Sequence, residues 1–85
     1  MGYDIFLSPS AFDDLESLPD DLQRRVYEHI DELAANPRPS GVKVLQGAPG
    51  GLRLRVGTYR ILYLVNDRKR AVTIYKIGHR RDVYR

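Results

Sequence analysis

Residues 52–65 read LRLRVGTYRILYLV, and their alternation is the firmest structural signal in the chain. Apolar residues recur at every second position on either side of Gly57-Thr58. A period of two marks a strand with one buried face. Two such runs joined by two residues, glycine first, predict a hairpin with a type II′ turn. That turn sets the register. Val56 then faces Tyr59, Arg55 faces Arg60, Leu54 faces Ile61, Arg53 faces Leu62 and Leu52 faces Tyr63. One face carries Leu52, Leu54, Val56, Tyr59, Ile61 and Tyr63 and reads as core. The other carries Arg53, Arg55 and Arg60. Directly opposed like charges destabilise a strand pair. An anion held between Arg55 and Arg60 is a physical reason to place them so. The alternative is a solvated strand face whose arginines fan apart into water.

Downstream, Asn66–Arg70 supplies a turn and Ala71–Ile77 a third strand, which completes a meander. Upstream, residues 37–51 (PRPSGVKVLQGAPGG) are loop-like, with Val42–Leu45 as a short extended piece. Before them lie two helices. Ser8-Pro9 gives a cap and a first-turn proline for a helix over about residues 9–17. Leu18-Pro19 breaks it. A second helix starts near Asp20, with Leu22, Val26, Ile30 and Leu33 on one face, and stops at Asn36-Pro37. Tyr3–Leu7 is a β-type run. The expected fold class is α+β: an N-terminal strand, a two-helix hairpin, then a three-stranded antiparallel meander, with the helices on one sheet face. Residues 1–85 form one domain.

A domain this small has a modest core and often relies on a partner, a metal or disulfides. There is no cysteine, and His29 and His79 are isolated. A partner is the remaining support. No apolar run approaches the roughly 20 residues that span a bilayer. The N-terminus carries no secretion-signal pattern. A cytoplasmic protein without membrane contact is expected. Charge divides sharply along the chain. Residues 1–34 hold nine acids and two bases, a net of −7; residues 35–85 hold twelve bases and two acids, a net of +10. This asymmetry points to a surface for a polyanion or an acidic peptide.

The terminus, GHRRDVYR over residues 78–85, adds His79, Arg80, Arg81, Tyr84 and Arg85. Arginine makes planar bidentate contacts to phosphate, and tyrosine stacks on unpaired bases. Lys43 and Gln46 lie in the loop before the basic strand. There is no P-loop, dinucleotide fingerprint or HExxH motif. Only Asp67 and Asp82 are acidic in the basic half, too few for a two-metal nuclease site. No cofactor and no metal are expected. RNA can be cut without metal when its 2′-hydroxyl attacks the adjacent phosphate. The protein then positions the strand and stabilises developing negative charge.

The stretches VKVLQGAPGGLRLRVGTYRILYLV and YKIGHRRDVYR resemble the RelE toxins of the RelE/ParE superfamily. The matching pieces are S-P-x-A, K-x-L-x-G, R-x-R-V-G-x-Y-R-x-x-Y and G-H-R-x-x-V-Y, spread over nearly the whole chain. The resemblance implies a microbial RNase-like fold. It also implies the toxin of a type II toxin–antitoxin pair, an endoribonuclease that cuts mRNA in the ribosomal A site by metal-free 2′-hydroxyl attack. By the same resemblance Arg53 and Arg55 are the paired basic residues, and Arg60 contacts phosphate. Arg80 is the general acid or leaving-group stabiliser, and Tyr84 stacks on a base or orients the nucleophile. These five are the expected catalytic set. Lys43, Gln46, His79, Arg81 and Arg85 are expected RNA contacts. The implied partners are the ribosome, its mRNA and an acidic RelB-like antitoxin, in a heterotetramer or other higher assembly. Some relatives carry lysines where Arg53 and Arg55 stand. Arginine remains cationic, so His79 or Tyr84 is the expected proton acceptor. Two other readings compete. One is a ParE-like inhibitor of DNA gyrase on the same fold; the other is an RNA-binding module without catalysis.

Overall fold

Residues 2–47 and 50–79 are described by a computed structural model. The elements are β1 (Asp4–Leu7), α1 (Pro9–Glu16), α2 (Asp20–Ala35), β2 (Lys43–Val44), β3 (Gly51–Val56), β4 (Tyr59–Asn66) and β5 (Ala71–His79). They form a five-stranded sheet in the order β1-β5-β4-β3-β2. β3, β4 and β5 make the expected antiparallel meander. Two pairings extend it. β1 lies parallel to β5, with Asp4 beside Ala71 and Leu7 beside Ile74. β2 adds an antiparallel edge, with Lys43 opposite Arg53.

The hairpin register is the one read from the sequence, from Val56 opposite Tyr59 to Leu52 opposite Tyr63. Gly57 sits at φ 61°, and no other residue of that turn has a positive φ. This is the pattern of a type II′ turn. Glycine alone enters that conformation without strain.

α1 begins where Ser8 Oγ accepts the Ala11 amide at 3.1 Å, with Pro9 in its first turn. α2 carries Asp20 and Asp21 at its positive end. The Gln23 side chain donates to the Leu15 carbonyl at 2.9 Å and ties the helices together. Ala11 and Leu15 of α1, with Val26, Ile30 and Leu33 of α2, bury against Leu52, Leu54, Val56, Ile61, Tyr63, Val72, Ile74 and Ile77. Tyr63 is the largest of the fully buried side chains, and its hydroxyl donates to the Pro37 carbonyl at 2.8 Å. Burial pushes that phenol up to about 12.

β5 contains a bulge. Lys76 is opposite Leu62 but Ile74 is opposite Tyr63, so Tyr75 is the extra residue of the bulge. The extra residue reverses the alternation of everything after it. α1 closes the β5 edge beyond the end of β1. The Ile77 amide donates to Asp14 Oδ2 at 3.0 Å, and Lys76 Nζ lies 3.6 Å from the same oxygen.

The helices cover one sheet face, as expected. The other face is not bare. Leu62 belongs to it by alternation, in register with Arg53 and Lys76, and is only 5 % exposed.

Candidate functional site

Arg53, Arg55 and Arg60 share the face away from the helices because each alternates with a buried residue of its strand. Arg55 and Arg60 are paired across the hairpin. β2 then brings in a fourth cation, since its register sets Lys43 opposite Arg53. The loop before β2 passes alongside through Gly41, at φ 89°. Together Gly41, Lys43, Arg53, Arg55 and Arg60 line one hollow of about 80 Å³. Enclosed small-molecule pockets measure roughly 300–1,000 Å³. This hollow suits a single anionic group on a longer chain lying across the sheet.

Among the described residues, four cations and no acid line the hollow. A hard divalent ion needs oxygen ligands, and the described lining side chains supply none. Among the described residues there is no group of three or more His, Cys, Asp and Glu placed to hold a metal ion. What the hollow offers is guanidinium forks and an ammonium group. These grip phosphate oxygens and stabilise added negative charge. Gly78 stands opposite Arg60 on β5, so that ladder position adds no side chain of its own.

The other expected site residues are distributed unevenly. Gln46 lies in the exposed turn after β2 and does not line the hollow. His79 is separated from the arginines. The bulge turns it to the helix side of the sheet, opposite Tyr59, and the two rings meet edge to face with centroids 5.5 Å apart. His79 thus lies on the opposite sheet face from Arg53, Arg55 and Arg60. Arg80, Arg81, Tyr84 and Arg85 lie outside the described residues. Gly41 was not singled out from the sequence. Its signal was the Ser40-Gly41 pair just ahead of the extended piece, a turn mark that nothing tied to the arginines.

A second polar cluster forms at the far end of β4. Arg38 Nη1 and Nη2 donate to Asp67 Oδ1 and Oδ2 at 3.0 and 2.9 Å, and the Tyr3 hydroxyl donates to Oδ1 at 2.7 Å. The Arg38 bonds, then the Tyr3 bond, hold the Asp67 carboxyl down at about 2. The bond to Asp67 raises the Tyr3 phenol in turn.

Residues 5–84 match the family model of the ParE toxin of the type II toxin–antitoxin system parDE. The chain is 33% identical to toxin RelG of Mycobacterium tuberculosis, an alignment covering 100% of this chain and 99% of that one. It is 30% identical to the putative toxin RelE1 of Methanocaldococcus jannaschii, over 100% of this chain and 98% of the relative. Among solved structures, the archaeal RelE–RelB complex of Pyrococcus horikoshii contains a chain that superposes with a TM-score of 0.84. That match has 32% identity and covers 94% of this chain and 97% of that one. With these matches spanning nearly its whole length, the chain belongs to the RelE toxin family and is a toxin of a type II toxin–antitoxin system.

Proposed function

We propose that this toxin is a ribosome-dependent endoribonuclease that cuts mRNA in the A site and so stops translation. One observation carries the reading: Lys43, Arg53, Arg55 and Arg60, drawn from three strands, converge on one hollow of anion size. In the proposed step the 2′-hydroxyl oxygen attacks the adjacent phosphorus and gives up its proton. The bond from phosphorus to the 5′-oxygen breaks, and that oxygen takes up a proton. The products are a 2′,3′-cyclic phosphate and a 5′-hydroxyl end. Arg55 and Arg60 grip the non-bridging oxygens as charge builds on them. Arg53 and Lys43 hold the neighbouring backbone. Arg80 supports the leaving oxygen and Tyr84 accepts the proton or stacks on a base; both roles rest on the family resemblance.

An acidic antitoxin is the proposed protein partner. The Pyrococcus relative was solved with RelB, and the basic half of this chain suits an acidic segment. The matching family model carries the ParE name. A gyrase-directed toxin would act through protein contacts, however, and a cationic hollow fits phosphate better.

The test is primer extension on mRNA bound to programmed ribosomes. Codon-positioned cuts that vanish in Arg60→Ala support the proposal. Intact mRNA together with gyrase-linked DNA breaks would replace it with the gyrase reading.

A further inference from the structure

The β4–β5 turn carries Asp67, Arg68, Lys69 and Arg70, all exposed. Asp67 is the only acid among residues 35–81. Its two oxygens are taken by Arg38 and Tyr3, so it is drawn toward the loop after α2 and the start of β1. The next three residues are cations. The turn that presents them is held at several points. The Lys69 amide donates to Asn66 Oδ1 at 3.1 Å, the Arg70 amide to the Asp67 carbonyl at 3.3 Å, and the Asp4 amide to the Arg70 carbonyl at 2.9 Å.

Two features of this turn work against local stability. Three successive cations repel one another at close range. Arg70 also sits at φ 51°, the only non-glycine residue with a positive φ among the described residues. That is the left-handed region, which glycine or asparagine occupies with less strain. A strained arginine in a like-charged run suggests a function for the charge. The turn cannot share a phosphate with the hollow. Arg60 and Asn66 are six residues apart along β4, about 20 Å at the usual strand rise of roughly 3.3 Å.

We propose that Arg68, Lys69 and Arg70 form a second RNA-backbone site, an anchor on structured ribosomal RNA separate from the hollow that acts on mRNA. The site deepens the ribosome-binding part of the proposed function and rests on that part alone. It raises occupancy on the ribosome and leaves the chemical step alone. Asp67, clamped by Arg38 and Tyr3, holds the turn in shape so that the three cations project together.

The experiment uses the whole toxin and ribosomes programmed with uncleavable 2′-O-methyl mRNA, with affinity measured across a salt series. The variant Arg68→Gln/Lys69→Gln/Arg70→Asn is compared with wild type and with Arg55→Ala/Arg60→Ala. Each lost phosphate contact lowers the salt slope by about 0.7–0.9, so the triple variant should lose roughly two units of slope. Its affinity should fall at least tenfold, with an unchanged cleavage rate on saturating ribosomes carrying ordinary mRNA. Arg70→Gly alone should raise the unfolding midpoint while weakening binding, which separates charge from folding. Wild-type affinity and slope in the triple variant would overturn the anchor. So would unchanged ribosome binding with lost affinity for polyglutamate, which would make the turn an acidic-protein site. Wild type that binds ribosomes through the turn but never cuts mRNA would sink the ribonuclease reading and keep the anchor. Wild type that does not bind ribosomes overturns both.

Discussion

Arg55 and Arg60 stand directly opposite each other across the β3–β4 hairpin, on the face away from the helices. Opposed like charges in this position destabilise a strand pair. Lys43 and Arg53 repeat the arrangement one strand over. Two adjacent like-charged pairs around one hollow make an anion the natural counterpart.

Inorganic phosphate should therefore stabilise the fold. Thermal unfolding should shift upward with phosphate concentration, because a ligand that binds only the folded state stabilises it by mass action. Arg55→Gln should raise the midpoint in phosphate-free buffer by up to about 4–8 °C, the shift expected for roughly 1 kcal/mol in a domain of this size. The same variant should respond less to phosphate. An Arg55→Gln midpoint below wild type in phosphate-free buffer would show that the pair is not in conflict.

Tyr63→Phe should destabilise without touching the site. It removes the bond from the buried hydroxyl to the Pro37 carbonyl, worth about 0.5–1.5 kcal/mol. Chemical denaturation should show that loss, and cleavage by the folded fraction should stay at the wild-type rate.

The Asp67 clamp predicts an acid limb. Its carboxyl titrates at about 2 in the folded chain, below the ordinary value of 3.8. A depressed folded value means that the clamp's stabilisation is present above about 4 and is lost as pH falls toward 2. Asp67→Asn should flatten the stability profile across that window. Since the Asp67 side chain is exposed, salt should weaken the effect. A profile that Asp67→Asn leaves unchanged between pH 4 and 2 would show that the clamp contributes nothing.

Asp14 should hold β5 at Ile77. Asp14→Ala leaves the Ile77 amide without its acceptor, at a cost of about 1–3 kcal/mol for a buried donor. Asp14→Asn keeps an acceptor oxygen. Amide exchange at Ile77 should speed up in Asp14→Ala and stay near wild type in Asp14→Asn. Equal exchange in all three proteins would show that the bond does not hold the strand.

The hairpin was legible because its turn and alternation lie within fourteen adjacent residues. Both helices were legible from Ser8-Pro9, from the spacing of Val26, Ile30 and Leu33, and from Asn36-Pro37. The parallel pairing of β1 with β5 was not, since it joins residues nearly seventy positions apart. Nor was the pairing of Lys43 with Arg53, because a two-residue strand has too little pattern to announce its register. The β5 bulge explains His79. Alternation carried forward from Val72 and Ile74 would put His79 on the arginine face. The extra residue, Tyr75, reverses it, and His79 meets Tyr59 instead. A bulge is set by contacts from outside the strand, here Ser8 and Asp14 along the β5 edge, and a local pattern does not contain them.

The cationic hollow is proposed to cut RNA. The most direct measurement is single-turnover cleavage of mRNA in the A site of programmed ribosomes, comparing wild type with Arg60→Ala. Wild type should cut and leave a 2′,3′-cyclic phosphate end. Arg60→Ala should fold normally and cut about 10²–10³ times more slowly, the usual cost of removing one preorganised charge-stabilising donor. A folded Arg60→Ala that cuts at the wild-type rate, or a folded wild type that leaves the mRNA intact, would contradict it.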